Sequence, residues 1–148
     1  MSDWSIRAER RVAARPEVVW RCVSTPRLLS RWWCPPPTVR IDLDPAKGAF
    51  RERYDDGETR YEVVGSVVVY EPPSRLTVHR ETPASAAPAD RVAITVTPTA
   101  EATHVLLEHS FEGLPVDRRD EMADFYAEGW EQALSGLAAV AAAEDPGR

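Results

Sequence analysis

The fold is decided by one stretch near the C-terminus of the sequence, Asp117-Arg-Arg-Asp-Glu-Met-Ala-Asp-Phe-Tyr-Ala-Glu-Gly-Trp-Glu-Gln-Ala-Leu-Ser-Gly-Leu-Ala-Ala-Val-Ala-Ala-Ala143. Its apolar and small residues recur at spacings of three and four and form a single stripe: Met122, Phe125, Tyr126, Gly129, Trp130, Ala133, Leu134, Leu137 and Val140. The pattern predicts one α-helix, roughly 40 Å long at 1.5 Å per residue. A compact chain of this size is about 38 Å across, so the helix crosses the whole domain. Its only large apolar partner is then expected to be a sheet.

Upstream of this helix, residues 38–111 alternate between polar and apolar with period two. Turn sequences at 44–48, 55–57 and 71–74 divide the region into strands, and residues 83–88 read as an exposed loop. Six strands are predicted, around residues 39–43, 50–54, 61–70, 76–78, 92–96 and 105–107. Because they mostly follow one another directly, the sheet is expected to be antiparallel.

The N-terminal part adds a strand and two short helices. Residues 5–13 predict a polar strand of the kind found at a sheet edge, and helices are predicted at 17–24 and 27–33. The prolines at 35–37 end the second helix. The whole sequence therefore predicts a single α+β domain over residues 1–148, with its core at 5–143 and a tail at 144–148. An antiparallel sheet of about seven strands wraps around the long helix.

Composition excludes several classes of protein. The chain has 148 residues, and 18 Lys and Arg against 24 Asp and Glu give a net charge of −6, which argues against a nucleic-acid binder. No apolar run is long enough to span a membrane, and the N-terminus lacks the apolar core of a signal peptide, so a cytoplasmic location is expected. Two cysteines cannot form a disulfide scaffold. His79, His104 and His109 are scattered, and there is no Cys-x-x-Cys or phosphate-binding loop, so neither metal nor cofactor is expected.

Four motifs carry a resemblance to a known family over about residues 5–141. They are Arg15-Pro-Glu-Val-Val-Trp20 with Trp32-Trp33-Cys34-Pro35-Pro36, Gly65 with Glu71-Pro-Pro-Ser-Arg-Leu76, Thr103-His-Val-Leu-Leu-Glu-His109, and Gly129-Trp130-x-x-x-Leu134. In this order they resemble the activator of heat-shock-protein-90 ATPase homologue-like family, in the START-like, polyketide cyclase superfamily (SRPBCC).

The resemblance implies a helix-grip fold, with a cavity between the sheet and the long helix that binds small apolar ligands. Some relatives in the superfamily are cyclases, dehydratases or lipid carriers, and the family name suggests chaperone association or a stress response in a bacterial cell. Two residues depart from the family pattern. Cys34 stands where glycine is usual, and Arg80 stands where an aromatic residue is common.

Strand alternation places three ionisable side chains on the inner face of the sheet. They share the phase of apolar neighbours: Glu52 with Phe50 and Tyr54, Arg80 with Leu76 and Val78, and His109 with Val105, Leu107 and Phe111. The same alternation points Arg51, Arg53, Thr77, His79 and Glu108 outward. Because buried charges need partners, the simplest interpretation is a structural Glu52–Arg80 pair with His109 hydrogen-bonded. The alternatives are a polar anchor for a ligand, or acid–base catalysis by Glu52 or His109.

Aromatic residues supply the other candidate ligand contacts. The full set of predicted ligand-binding residues is Trp33, Phe50, Glu52, Tyr54, Arg80, His109, Phe111, Phe125, Tyr126 and Trp130. Trp20 and Trp130 also suit a core position. Cys22 is expected to be buried, Cys34 to be an ordinary loop cysteine, and no disulfide between them is expected.

Three hypotheses about function follow from the sequence. The first is a small-molecule binding protein that holds an apolar or aromatic ligand in the cavity. The second is an enzyme of cyclase, dehydratase or hydrolase type that uses Glu52, Arg80 and His109. The third is a chaperone-associated or stress-response interaction protein. A homodimer formed through an edge strand or the tryptophan loop stays open.

Overall fold

A seven-stranded antiparallel sheet is the framework of the chain in a computed structural model, which describes residues 4–33, 39–83 and 88–145. The strands are β1 (Ile6–Val12), β2 (Val39–Asp44), β3 (Ala49–Asp55), β4 (Arg60–Glu71), β5 (Arg75–Glu81), β6 (Asp90–Pro98) and β7 (Thr103–Phe111). Their order across the sheet is β1-β7-β6-β5-β4-β3-β2, and every neighbouring pair is antiparallel. The polar strand β1 lies at one edge, as its sequence predicts. The α+β fold expected from the hydropathy pattern is confirmed.

Three helices accompany the sheet: α1 (Pro16–Ser24), α2 (Pro26–Trp32) and α3 (Arg119–Glu144). Both α1 and α2 begin one residue earlier than predicted, because a proline occupies the first helical position, where its missing N–H costs nothing. Helix α3 begins two residues later than predicted, because Val116–Arg118 form a 3-10 turn. Its 26 residues span roughly 39 Å. None of the helices in the described ranges is long and apolar enough to cross a membrane.

Helix α3 packs against the short helices as well as the sheet. It contacts β1, α1 and α2, so the expectation that the sheet is its only large apolar partner is wrong. The contact with α2 is close because Gly136 faces Trp32: a Cβ atom on Gly136 would lie 3.5 Å from the Cβ of Trp32. The end of α3 is also held in place. Glu144 is the last residue of the helix, and Asp145 is buried against Arg15.

The hydrophobic core fills only one half of the space under α3. The buried residues of this helix are Trp130, Ala133, Leu134, Leu137, Val140 and Ala141, all in its C-terminal part. Tyr126 and Met122, one and two turns before Trp130, are only half-buried, and Phe125 is 74% exposed. The apolar stripe thus continues beyond the core that protein atoms provide.

Strand alternation is broken at one place in β5. Of the side chains predicted to face outward, Arg51 and Arg53 are exposed, and His79 and Glu108 are half-buried. Thr77, however, is only 9% exposed, between the buried Leu76 and Val78. It pairs with Val69 of β4, beside the register shift between Val67 and Val69. A bulge bends a strand locally, which breaks the simple alternation of buried and exposed residues.

Candidate functional site

A buried arginine organises the polar interior of the molecule. Arg80 of β5 donates from Nε and Nη2 to the two carboxylate oxygens of Asp90 at the start of β6, at 2.8 and 3.0 Å. Its Nη1 donates to Oε1 of Glu52 in β3, at 2.9 Å. All three side chains are at least nine-tenths buried. The two-point contact with Asp90 fixes the plane of the guanidinium group and neutralises its charge.

The cluster continues through a histidine to helix α3. His109 of β7 is fully buried, and its Nε2 lies 2.8 Å from Oδ2 of Asp90. The indole N–H of Trp130 points at the other ring nitrogen, Nδ1, at 3.0 Å. An indole nitrogen can only donate, so Nδ1 must be unprotonated and Nε2 must carry the hydrogen that Asp90 accepts. This arrangement holds His109 neutral.

A second tryptophan closes the cluster on its other side. The indole N–H of Trp33, at the end of α2, donates to Oε1 of Glu52 at 2.9 Å. The rings of Trp33 and Trp130 meet edge to face, with centroids 5.3 Å apart. Six side chains therefore form a closed circuit, in the order Trp33, Glu52, Arg80, Asp90, His109 and Trp130. We call this set the polar circuit.

The environments of the two carboxylates differ in the polar circuit. Burial raises the pKa of Glu52, and the Arg80 charge and the Trp33 hydrogen bond only partly oppose that rise. Burial also acts to raise the pKa of Asp90, but the hydrogen bonds from His109 and Arg80 outweigh it and hold this pKa below its usual value. For Arg80, the bonds to Asp90 and the charge of Glu52 outweigh burial and raise the pKa. Glu52 is consequently the carboxyl group of the circuit that most readily takes up a proton.

A cavity of about 860 Å³ lies against one face of the polar circuit, under the N-terminal half of α3. Its walls come from the end of α2, from the sheet and from α3, and they are rich in aromatic residues. The principal lining residues are Trp32, Trp33, Glu52, Tyr61, Val63, Arg80, Asp90, Phe111, Met122, Phe125, Tyr126, Gly129 and Trp130. The apolar stripe of α3 that the core leaves uncovered therefore faces this cavity.

Seven of the ten predicted ligand-binding residues line the cavity, and three do not. Those that line it are Trp33, Glu52, Arg80, Phe111, Phe125, Tyr126 and Trp130. Phe50 packs behind Trp33, with ring centroids 6.0 Å apart. Tyr54 stacks on Tyr61 at 4.9 Å instead. His109 is sealed behind Phe111, Tyr126 and Trp130, so it can act on a ligand only through its neighbours.

Asp90 is the member of the polar circuit that sequence reasoning missed. The predicted Glu52–Arg80 pair is present, but Asp90 makes the larger number of contacts with Arg80. A signal was available in the sequence, since Asp90 shares the alternation of Val92, Ile94 and Val96 and so belongs to the inner face of β6. A strand predicted to begin at Val92 leaves Asp90 out of the inner face. Tyr61 and Met122 were likewise not among the predicted contacts.

The cysteines and histidines offer no further reactive site in the described residues. Cys22 is buried, as predicted, and burial together with the nearby charge of Glu144 raises the pKa of its thiol to about 11. Such a thiol stays protonated and unreactive. Cys34 lies outside the described residues, and so does any pairing with it. Within the described ranges, no three His, Cys, Asp or Glu side chains converge as metal ligands.

Comparison with known proteins assigns the chain to a family. The model of the family described as Activator of Hsp90 ATPase homolog 1-like protein matches residues 13–142. The chain belongs to this family. The resemblance carried by the four sequence motifs is thereby confirmed, together with the START-like superfamily. No curated protein sequence matches the chain significantly.

Solved structures of other proteins share the fold of this chain. DynU16, a protein in the dynemicin biosynthetic locus, is 25% identical with a TM-score of 0.73, and the match covers 99% of this chain but only 50% of the DynU16 chain. CalU16 from Micromonospora echinospora is 23% identical with a TM-score of 0.67, covering 95% and 77% of the two chains. A protein from Nitrosomonas europaea is 23% identical with a TM-score of 0.77, covering 97% of each chain. The present chain thus spans half the length of DynU16, and the likenesses support the helix-grip fold.

The neutral state of His109 in this Activator of Hsp90 ATPase homolog 1-like chain leads to a testable prediction. Burial lowers the pKa of His109 below its ordinary value of 6.5, although Asp90 opposes the change. We expect Trp130→Phe to raise this pKa, because the donor that keeps Nδ1 unprotonated is removed while Asp90 remains. Nitrogen NMR of the imidazole ring, recorded as a function of pH, measures the change.

A control variant and the pH dependence of stability also test the neutral state of His109. Trp20→Phe alters a buried indole whose ring contacts that of Tyr70, with centroids 5.8 Å apart, and it should leave the titration of His109 unchanged. Because the folded-state pKa of His109 is depressed, its contribution to stability is present above pH 6.5 and is lost as the pH falls through the folded-state pKa. A doubly protonated His109 ring in the unaltered protein at neutral pH would contradict the assignment.

Proposed function

We propose that this chain binds a small apolar or amphipathic molecule in the cavity beside the polar circuit. The observation that carries the proposal is the combination of an 860 Å³ space, aromatic walls and a few buried polar groups at one side. Sites for small molecules are typically of this size and composition. The uncovered half of α3 supports it, because an apolar ligand would complete the core that protein atoms leave unfinished.

Three side chains are placed to orient such a ligand. Glu52 and Arg80 line the cavity, and Arg80 uses only one of the two hydrogens on each terminal nitrogen within the polar circuit. The Tyr126 hydroxyl neither donates nor accepts a hydrogen bond within the described residues. Burial raises the pKa of this phenol, so the hydroxyl keeps its proton. A hydroxyl or carbonyl group on the ligand would satisfy these donors and acceptors.

A second candidate function is catalysis in the same cavity. It is favoured by one observation: Glu52 lines the cavity, and burial raises its pKa towards the range in which a carboxyl group can both give and take a proton. The reaction class would be proton transfer assisted by Arg80. The sequence also predicts other properties, and these stay predictions: chaperone association, a stress response, a cytoplasmic location and a homodimer.

Gly129 offers a test of the cavity with a matched control. This glycine lines the cavity in the middle of α3, and a Cβ placed on it meets no atom within 4 Å. We expect the neutral dye Nile red to fluoresce on binding the unaltered protein, and Gly129→Leu to weaken that binding at least about tenfold because the side chain occupies the ligand's space. Gly129→Ala is the control and should bind the dye like the unaltered protein.

The folding of both variants is checked by thermal unfolding. Both replacements favour the helix, by about 1 kcal/mol relative to glycine, so neither is expected to unfold the chain. Fluorimetric titration gives the dissociation constants. Failure of the unaltered protein to bind Nile red or a panel of neutral apolar molecules would overturn the proposed function. Equal binding by the Leu and Ala variants would place the ligand elsewhere.

A further inference from the structure

The polar circuit contains more negative than positive charge. Its ionisable members are two carboxyl groups, Glu52 and Asp90, one guanidinium, Arg80, and the imidazole of His109. Arg80 balances only one of the carboxylates. With Glu52 ionised, the circuit therefore carries one uncompensated negative charge in a buried environment, where solvent screens it weakly.

The imidazole of His109 does not supply the missing positive charge. Protonating Nδ1 would place an N–H against the N–H of Trp130, so the buried hydrogen bond at 3.0 Å would be replaced by two opposed donors. No other cation joins the circuit among residues 4–33, 39–83 and 88–145. The compensating proton or cation has to come from Glu52 itself or from a molecule in the cavity.

One acceptor of the circuit is open towards the cavity. Oε1 of Glu52 receives hydrogen bonds from both Trp33 and Arg80, whereas Oε2 receives none from the described part of the chain. Glu52 also lines the cavity. An ionised carboxylate oxygen of this kind accepts most strongly from a charged N–H donor.

The walls around this oxygen are also suited to a cation. Aromatic rings of Trp33, Tyr61, Phe111, Tyr126 and Trp130 line the same cavity. Aromatic faces attract ammonium groups, and the attraction grows when the cation is removed from water. The net charge of −6 of the whole chain also attracts cations, at longer range.

We propose that the cavity preferentially takes an apolar molecule that carries an ammonium group, and that Glu52 is the residue that selects it. The proposal rests on the proposed ligand-binding function and specifies the chemistry of the ligand. An ammonium group next to Oε2 balances the charge of the circuit, completes the hydrogen bonding of Glu52 and lies among the aromatic rings. A carboxylate in the same place would add a second uncompensated negative charge.

Two other arginines line the cavity, and the experiment has to separate their effect. Arg31 and Arg60 are both exposed, and Arg60 is paired with Asp55 at 3.0 Å. Charges at the surface are screened by salt, whereas the buried carboxylate of Glu52 is screened much less. A preference that is set by Glu52 therefore persists at high salt, and one set by the surface does not.

The test compares three ligands that share one naphthyl ring and bear an aminomethyl, a hydroxymethyl or a carboxylate group. Dissociation constants are measured by calorimetry at neutral pH, at low and at high salt. We expect the amine to bind at least about tenfold more tightly than the alcohol, and the carboxylate to bind most weakly, at both salt concentrations. In Glu52→Gln the ratio between amine and alcohol should fall to about twofold or less.

A surface carboxylate provides the control for the Gln variant. Glu62→Gln removes an exposed acidic group of β4 that pairs with Arg51, and it should keep the tenfold preference. If the alcohol binds and the amine binds no more tightly, the proposed selection of an ammonium group by Glu52 is wrong. The proposed ligand-binding function is not affected by that result. If none of the three ligands and no neutral dye binds, the proposed function fails and the selection fails with it.

Discussion

Replacing Arg80 by methionine is expected to reduce the free energy of unfolding by about 3–5 kcal/mol. Methionine keeps much of the volume of the arginine stem but removes all three hydrogen bonds to Asp90 and Glu52. Two carboxyl groups are then left buried without a cation. Each must take up a proton or lose stability as a desolvated charge, which makes this one of the most damaging substitutions in the site.

A matched arginine on the same strand serves as the control. Arg75 also pairs with a glutamate, Glu71, at 3.0 Å, but both side chains are more than half exposed. Arg75→Met is therefore expected to change stability by about 0–1 kcal/mol. Chemical denaturation of the two variants and the unaltered protein measures the difference.

The pH dependence of the Arg80→Met variant identifies the cause of the loss. Without the guanidinium, the pKa of Glu52 rises further above its value in the unfolded chain, and the pKa of Asp90 rises from its depressed value. The variant therefore loses stability relative to the unaltered protein as the pH rises through the range in which these carboxyl groups ionise. The difference from the unaltered protein should shrink as the pH is lowered towards 4–5, where carboxyl groups protonate. A loss of stability that is the same at every pH would indicate lost packing, not buried charge.

The sequence predicts the framework because each element carries a complete local signal. The apolar spacing in α3 establishes a helix as long as the domain is wide, and period-two alternation with turn sequences establishes the strands. The boundaries shift by one or two residues where helix starts depend on proline or on a 3-10 turn. Local patterns do not include the register shift in β4, which is why the burial of Thr77 was not foreseen.

The candidate site is predicted less completely, for a physical reason. Alternation assigns Glu52, Arg80 and His109 to the inner face, and the structure buries all three. Alternation does not say which strands lie side by side. In the sheet, β6 separates β5 from β7, so Asp90 comes between Arg80 and His109 and bonds to both. The same limit explains why His109 is excluded from the cavity, since the packing of Phe111, Tyr126 and Trp130 around its ring decides that.

The sequence resemblance implies an aromatic residue where Arg80 stands, and the polar circuit shows what the arginine requires instead. An aromatic residue at this position would need no partner, whereas Arg80 needs both Asp90 and Glu52. The arginine thus comes with a set of charged neighbours that fix its orientation and leave one oxygen of Glu52 available to the cavity. The proposed ligand selectivity and the stability of the fold consequently depend on the same hydrogen bonds.

The second large effect is expected at Gly65 of β4, where the backbone of β5 leaves no room for a side chain. Gly65 pairs with Arg80, and a Cβ atom on it would collide with the carbonyl oxygen of His79 and lie 3.2 Å from the Cα of Arg80. Both obstacles are backbone atoms, so no rotation of a side chain can relieve the contact and the strands must separate. We expect Gly65→Ala to cost about 3 kcal/mol or more, above the ordinary range for an added methyl group in a core.

Separating these strands also moves the arginine that organises the site. Because the Cα of Arg80 is one of the obstructed atoms, Gly65→Ala should weaken ligand binding and raise the pKa of Glu52 further, since the guanidinium that lowers this pKa moves away. Gly129→Ala is the control glycine, because its Cβ meets open space in a helix, and it should raise stability by up to about 1 kcal/mol. Denaturation of both variants, with carbon NMR of the Glu52 carboxyl group, measures these effects. Equal stability of the two alanine variants would show that β4 and β5 can separate at no cost in free energy. The absence of a side chain at Gly65 would then play no part in positioning Arg80.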